Sequence, residues 1–169
     1  MALSDRRSLR IPPEDAGAQA LTPADTMFNP SQADVRRFFC ETWRKHRAVE
    51  PLTPLEAMAL DWVLEHPEYR EDLESVESAL AADYGADSGR TNPFLHLSMH
   101  LAISEQLSID HPTGIRAAHE RLARRLGSAH AAAHEIMECL GETVWRAQRD
   151  RTQPDGQAYL DCILRRAAG

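Results

Sequence analysis

Two stretches of the chain carry histidines four residues apart: His96 with His100, and His130 with His134. On an α-helix each residue advances about 100°, so such a pair lies about 40° apart, on one face. Past the second pair, Glu138 continues the stripe at about 80° from His130. Imidazole nitrogens and carboxylate oxygens suit zinc, iron, manganese or copper. Two such pairs on facing helices can surround one or two ions, and bundle cores commonly house such sites. His66 shares a helical face with Leu55, Met58, Ala59 and Trp62 and should also point inward, just before Pro67. The expected ligand set is therefore His66, His96, His100, His130, His134 and Glu138, around a transition metal ion, with iron or zinc favoured. Glu105 lies about 180° from His96 and is set aside. Glu135 and Glu142 lie further round than the histidine stripe; if the site is catalytic, Glu142 or Glu135 would serve as a general base outside the ligand set.

A competing reading stands beside this one. A single inward histidine is ordinarily a core residue with its hydrogen bonds satisfied. If all of them are structural, the chain is a non-enzymatic protein–protein interaction module. The motifs narrow the chemistry further. The Glu-x-x-His of ferritin-like di-iron bundles and the HExxH of zinc proteases are both absent. No Gly-rich phosphate loop, GxSxG or kinase signature is present, so nucleotide-driven and serine-hydrolase chemistry have no support. No CxxCH for covalent haem occurs either.

The elements that must hold these residues are read from caps and periodicity. A capping residue followed by proline recurs at Asn29-Pro30, Thr53-Pro54, Asn92-Pro93 and His111-Pro112. Thr53 to Glu56 also forms a capping box. The spacing predicts helices over about 31–46, 54–65, 67–80, 93–109, 112–126, 129–150 and 157–166. The helix from Pro93 is apolar nearly all round, as a central helix is. Gly127 stops one helix and Ser128 caps the next. Gly141, on the histidine stripe, leaves room for a neighbouring helix to approach. No stretch alternates with period two. The fold class is all-α, an irregular bundle of five to seven helices over 27–169 as a single domain, behind a disordered tail over 1–26.

Composition bounds the rest. The net charge of −7 argues against a general nucleic-acid binder, and no apolar run is long enough to span a bilayer. The charged N-terminus lacks the apolar core of a secretory signal. Cys40, Cys139 and Cys162 are far apart and form no CxxC, so no disulfide framework is expected and a reducing cytoplasm fits best. Cys139 projects away from the histidine stripe and is read as a small buried hydrophobe. A protein partner or a homodimer remains open, with Phe and Trp of the first helix as one surface for it.

Several motifs together carry a resemblance. They are Met27-Phe-Asn-Pro-Ser31, Arg37-Phe-Phe-Cys-Glu-Thr-Trp43, His66-Pro-Glu-Tyr69, Asn92-Pro-Phe-Leu-His-Leu-Ser-Met-His100, His130-Ala-Ala-Ala-His-Glu-Ile-Met-Glu-Cys-Leu-Gly-Glu142 and Trp145-Arg-Ala-Gln-Arg149. With them the chain resembles domain-of-unknown-function family 1841, small bacterial, mainly proteobacterial, proteins, over about 27–164. The resemblance implies that His66, His96, His100, His130, His134, Glu138 and Glu142 belong to a family pattern. It brings no activity with it.

Overall fold

Local capping chemistry sets where the helices begin. The computed structural model describes residues 31–85 and 89–169. Helix α1 (Gln32–Arg47) starts from a capping box in which the Ser31 hydroxyl accepts from the Asp34 amide and Asp34 reaches back to the Ser31 amide. Helix α2 (Pro54–Glu65) has the expected Thr53–Glu56 box and Pro54 at its first position. Lys45 of α1 pairs with the same Glu56 at 2.7 Å, tying the two helices together. In α4 (Pro93–Ile109) the Asn92 side chain accepts from the amides of Phe94 and Leu95. Ser128 caps α6 (Ala129–Asp150), and Asp155 caps α7 (Gly156–Ala168).

Two expectations change. The pattern over 67–80 is not one helix. Pro67 cannot donate to α2 and biases the residue before it away from helical geometry. The chain instead makes two 3₁₀ turns, Pro67–Tyr69 and Glu71–Leu73, then the short helix α3 (Val76–Ala81). Nor does His111-Pro112 start a helix. Helix α5 (Ile115–Leu126) begins three residues later, after Gly114 at φ 99°, where a side chain would be strained. Asp110 supplies its cap, accepting from the amides of Gly114 and Arg116. The Arg116 side chain then turns back to donate to the carbonyls of Leu107 and Ser108 at the end of α4. Asn29-Pro30 and the expected tail over 1–26 lie outside the described residues. Among the described residues there is no strand.

Helix α4 joins two apolar clusters. Phe39 and Trp43 of α1, Leu60 and Val63 of α2, and Leu73 pack with Phe94, Leu97 and Leu101 of α4. Ile103 of the same helix packs with Ile115 and Leu122 of α5, Ile136 of α6, and Tyr159 and Ile163 of α7. The helix is not buried all round, since Leu95 and Ile109 face solvent. Leu55, expected inward, is also exposed, whereas Phe39 and Trp43 are core residues and Phe38 is half-buried. At Gly141 no helix backbone comes close. A Cβ there would meet only the Met99 methyl, at 3.7 Å.

The cysteine reading is corrected. Cys139 of α6 and Cys162 of α7 form a disulfide, and Cys40 is free and buried. Helix packing brings the two sulfurs together across 23 residues of sequence, a pairing that no local spacing announces. Support for a reducing compartment from cysteine usage is thereby withdrawn. Closing a loop of this size removes unfolded-chain entropy worth about 3 kcal/mol. Cys162→Ala is expected to lower the urea-unfolding free energy by about that amount. A midpoint that neither this change nor a reductant moves would show that the sulfurs are not linked in solution.

Candidate metal centre

Three segments deliver histidines to one place. The first is the end of α2. His66 closes that helix, its amide donating to the Trp62 carbonyl at 3.0 Å, and the turn that follows carries Glu68 back beneath it. The Glu68 carboxylate lies 2.8 Å from His66 Nδ1, and the Tyr69 ring stacks on the same imidazole. The second is α4, where the i, i+4 spacing sets His96 and His100 on one face as expected. The third is the first half of α6, with His130 and His134. His66 and His100 are buried, at 4% and 0% exposure.

The Nε2 atoms converge. His134 Nε2 lies 3.2 Å from that of His96, which lies 3.2 Å from that of His100. His100 Nε2 is in turn 3.0 Å from that of His66, and His66 Nε2 is 3.2 Å from that of His130. Ligand nitrogens of His66, His96, His100 and His134 all lie within 4.8 Å of one another, which is metal-binding distance. His130 joins at the edge, through His66.

Hydrogen bonding alone does not account for this arrangement. An imidazole nitrogen has one in-plane position, filled by a hydrogen or by a lone pair. Each Nε2 can therefore take part in one hydrogen bond. Yet those of His66, His96 and His100 each face two others, so at most two of the four close approaches can be hydrogen bonds. A cation at the centre would use every lone pair at once.

The surroundings hold three of the rings neutral and orient the other two. Burial, and then repulsion from the neighbouring imidazoles, hold His96 down to about 4 and His100 down to about 2. His134 is lowered for the same reasons, with Glu138 and Glu68 opposing. Neutral imidazole is the ligand form. Glu68 behind His66, and Glu65 at 3.3 Å behind His130 Nδ1, favour a hydrogen on Nδ1 and leave the Nε2 lone pair facing inward. The indole of Trp62 stacks on His100 at 3.9 Å between centroids, held by a 2.7 Å hydrogen bond to Ser104.

Other candidate residues fall elsewhere. Glu138 is exposed and is not brought into the nitrogen group. Glu135 pairs with Arg166, and Glu142 with Arg146. Glu105 and His46 are exposed, and His119 is half-buried on α5. Periodicity missed Glu65, Glu68 and Trp62 as partners of the histidines. The run His66-Pro-Glu-Tyr69 held a clue, because a proline-induced turn folds the residue at i+2 back beside i.

The family model described as "Domain of unknown function (DUF1841)" matches residues 31–165. The chain belongs to the DUF1841 family. All five converging histidines and both carboxylates behind them lie inside the DUF1841 match. No curated protein and no solved structure matches the chain.

The carboxylate behind His66 gives a direct expectation. Partners of this kind commonly matter 10–100-fold to metal affinity. Glu68→Gln should weaken metal binding by roughly tenfold or more while leaving the helical circular dichroism unchanged. Equal affinity in a competition titration against a chelating dye would show that Glu68 does not orient His66.

Proposed function

We propose that this DUF1841 protein binds one transition metal ion through His66, His96, His100, His134 and His130. The supporting observation is a run of five Nε2 atoms whose four successive separations are 3.0–3.2 Å, more close approaches than imidazole hydrogen bonds can satisfy. The buried Nδ1 of His100 has no hydrogen-bond partner among the described residues, a cost of about 1–3 kcal/mol that a strong bond at Nε2 would help to offset. With bonds of about 2.1 Å, neighbouring ligand atoms sit about 3.4 Å apart in a tetrahedron and about 3.0 Å apart at right angles. The observed 3.0–3.2 Å lies between the two, but five nitrogens would exceed what tetrahedral zinc takes. Iron is therefore favoured over zinc, as an ion that accepts five or six ligands. A single ion suits a group this tight, because paired catalytic ions themselves stand about 3.5–4 Å apart. The interaction-module reading requires the histidines to satisfy one another, and the crowding opposes it.

The test is elemental analysis of untagged protein purified without chelator, followed by reconstitution with iron, zinc, manganese and copper in turn. About one equivalent of one ion is expected. Less than about a tenth of an equivalent after every reconstitution would overturn the proposal. No helix among the described residues is long and apolar enough to cross a membrane. A cytoplasmic location belongs to the same reading, and the disulfide is the observation it must accommodate.

A further inference from the structure

A cleft of about 470 Å³ is lined by residues of α4, α6 and α7. Met99 lines it from α4, and Met137, Glu138, Gly141 and Trp145 line it from α6. Its volume falls in the range of small-ligand sites. Gly141 keeps the floor open, since a Cβ there would point at the Met99 methyl and anything larger would fill the space. Trp145 is 57% exposed, a large aromatic surface left uncovered at the rim.

The charges around the cleft are nearly all matched. Arg166 is paired with Glu135, and Glu142 with Arg146. Arg149, which lies over the Trp145 ring, is paired with Asp150. Glu138 makes no ion pair among the described residues. It sits one turn beyond His134 and acts on the charge of that ring.

We infer that this cleft binds a small organic cation: an amine with an apolar body, its ammonium on Glu138 and its body against Met99, Met137 and Trp145. Thioethers adapt to varied apolar shapes, and an indole offers a large flat surface to an apolar body. An anion of the same shape would meet an uncompensated carboxylate. Because Glu138 sits one turn from His134, a cation held there would also act on the charge of the histidine centre. That last step rests on the metal reading, whereas the chemistry of the cleft does not.

The experiment uses the full chain labelled with ¹³C at its methionine methyls, titrated with 2-phenylethylamine and, separately, with phenylacetate. The methyls of Met99 and Met137 should shift saturably with the amine. That of Met58, packed in the other apolar cluster, should not. The amine should bind at least tenfold more tightly than the acid. Glu138→Gln should bring the two within about twofold, and Gly141→Leu should abolish the shifts. Trp145→Ala, at an exposed position, should weaken the amine severalfold without unfolding the chain. No saturable shift at Met99 and Met137, or equal binding of amine and acid, would overturn the inference. Running the titration on metal-free and reconstituted protein separates the two proposals. Amine binding by a chain that takes up no metal would sink the metal centre and leave the cleft standing. Full metal loading without amine binding would do the reverse.

Discussion

Reconstitution with the preferred ion, kept free at about 1,000 times its dissociation constant, should raise the melting temperature of the metal-free protein by roughly 10–20 °C. A ligand that binds only the folded state stabilises it by about 4.1 kcal/mol when present at 1,000 times its dissociation constant. For a domain of this size each kcal/mol moves the midpoint by about 3–5 °C. A large part of the shift comes from relief of an arrangement that is costly without the ion. His100 is wholly buried with its Nε2 crowded by two neighbours. The unfolded chain holds no comparable site, because its ligands come from three segments spread over residues 66 to 134. A chelator should reverse the shift. In the double variant His96→Asn, His134→Asn the ion should produce no shift and no stoichiometric metal should remain. Both residues are only half-buried, so the variant should keep its helical circular dichroism. A wild-type midpoint indifferent to every ion and to chelator would return the histidines to a structural role.

The helices were largely legible because their signals are local. Thr53 with Glu56, Asn92 with Pro93, and Ser128 each fix a helix start through groups no more than three residues apart. The two HxxxH faces follow from the same short-range geometry, and so does the inward turn of His66 at the proline break. What escaped was set at a distance. The start of α5 depends on Asp110 reaching over a turn, and the Cys139–Cys162 link depends on how α6 and α7 pack. Glu138 continued the stripe of α6 on paper, yet a stripe fixes direction and not depth. One turn past His134 the helix face has moved away from the convergence point and opens on the cleft. Conversely, Glu65 and Glu68 drew no notice as polar residues at a helix end. Only the fold shows that they stand behind the imidazoles of His130 and His66.

Convergence of the site also has a mechanical consequence. One apolar cluster is built from α1 to α3 and the start of α4, the other from the rest of α4 and α5 to α7. His66 comes from the first group of elements and His130 and His134 from the second, with His96 and His100 on the helix they share. An ion held by all three segments would cross-link the two clusters. Metal loading should then protect amides in both, where a site within one cluster would protect only its own.

In the metal-free protein, stability should fall steadily as the pH drops from about 6.5 to 4.5. His96, His100 and His134 are all held below the usual value of 6.5 by burial first and by the neighbouring imidazoles second. In the unfolded chain they take up protons near pH 6.5, and in the folded chain they do not. The unfolded state thus binds more protons throughout this window, and unfolding becomes easier as the pH falls. Above pH 6.5 both states are neutral and the dependence vanishes. For a group with no exposure the slope approaches about 1.4 kcal/mol per pH unit. His100 alone should then cost about 2 kcal/mol between pH 7 and pH 5. His96 and His134 add less, being partly open to solvent, with Glu68 near both and Glu138 near His134 partly offsetting the repulsion. The carboxylates act lower down. Glu56, beside Lys45, and Glu68, beside His66, are held below the usual 4.5, so their contribution is lost only as the pH falls below that value. The window between 6.5 and 4.5 consequently isolates the histidines. Urea midpoints measured with chelator at pH 7.5, 6.5, 5.5 and 5.0 should decline across it, and His100→Leu should flatten the decline. A flat profile in the wild type would mean that the rings are hydrated and free to charge, which is incompatible with five Nε2 atoms packed at 3.0–3.2 Å.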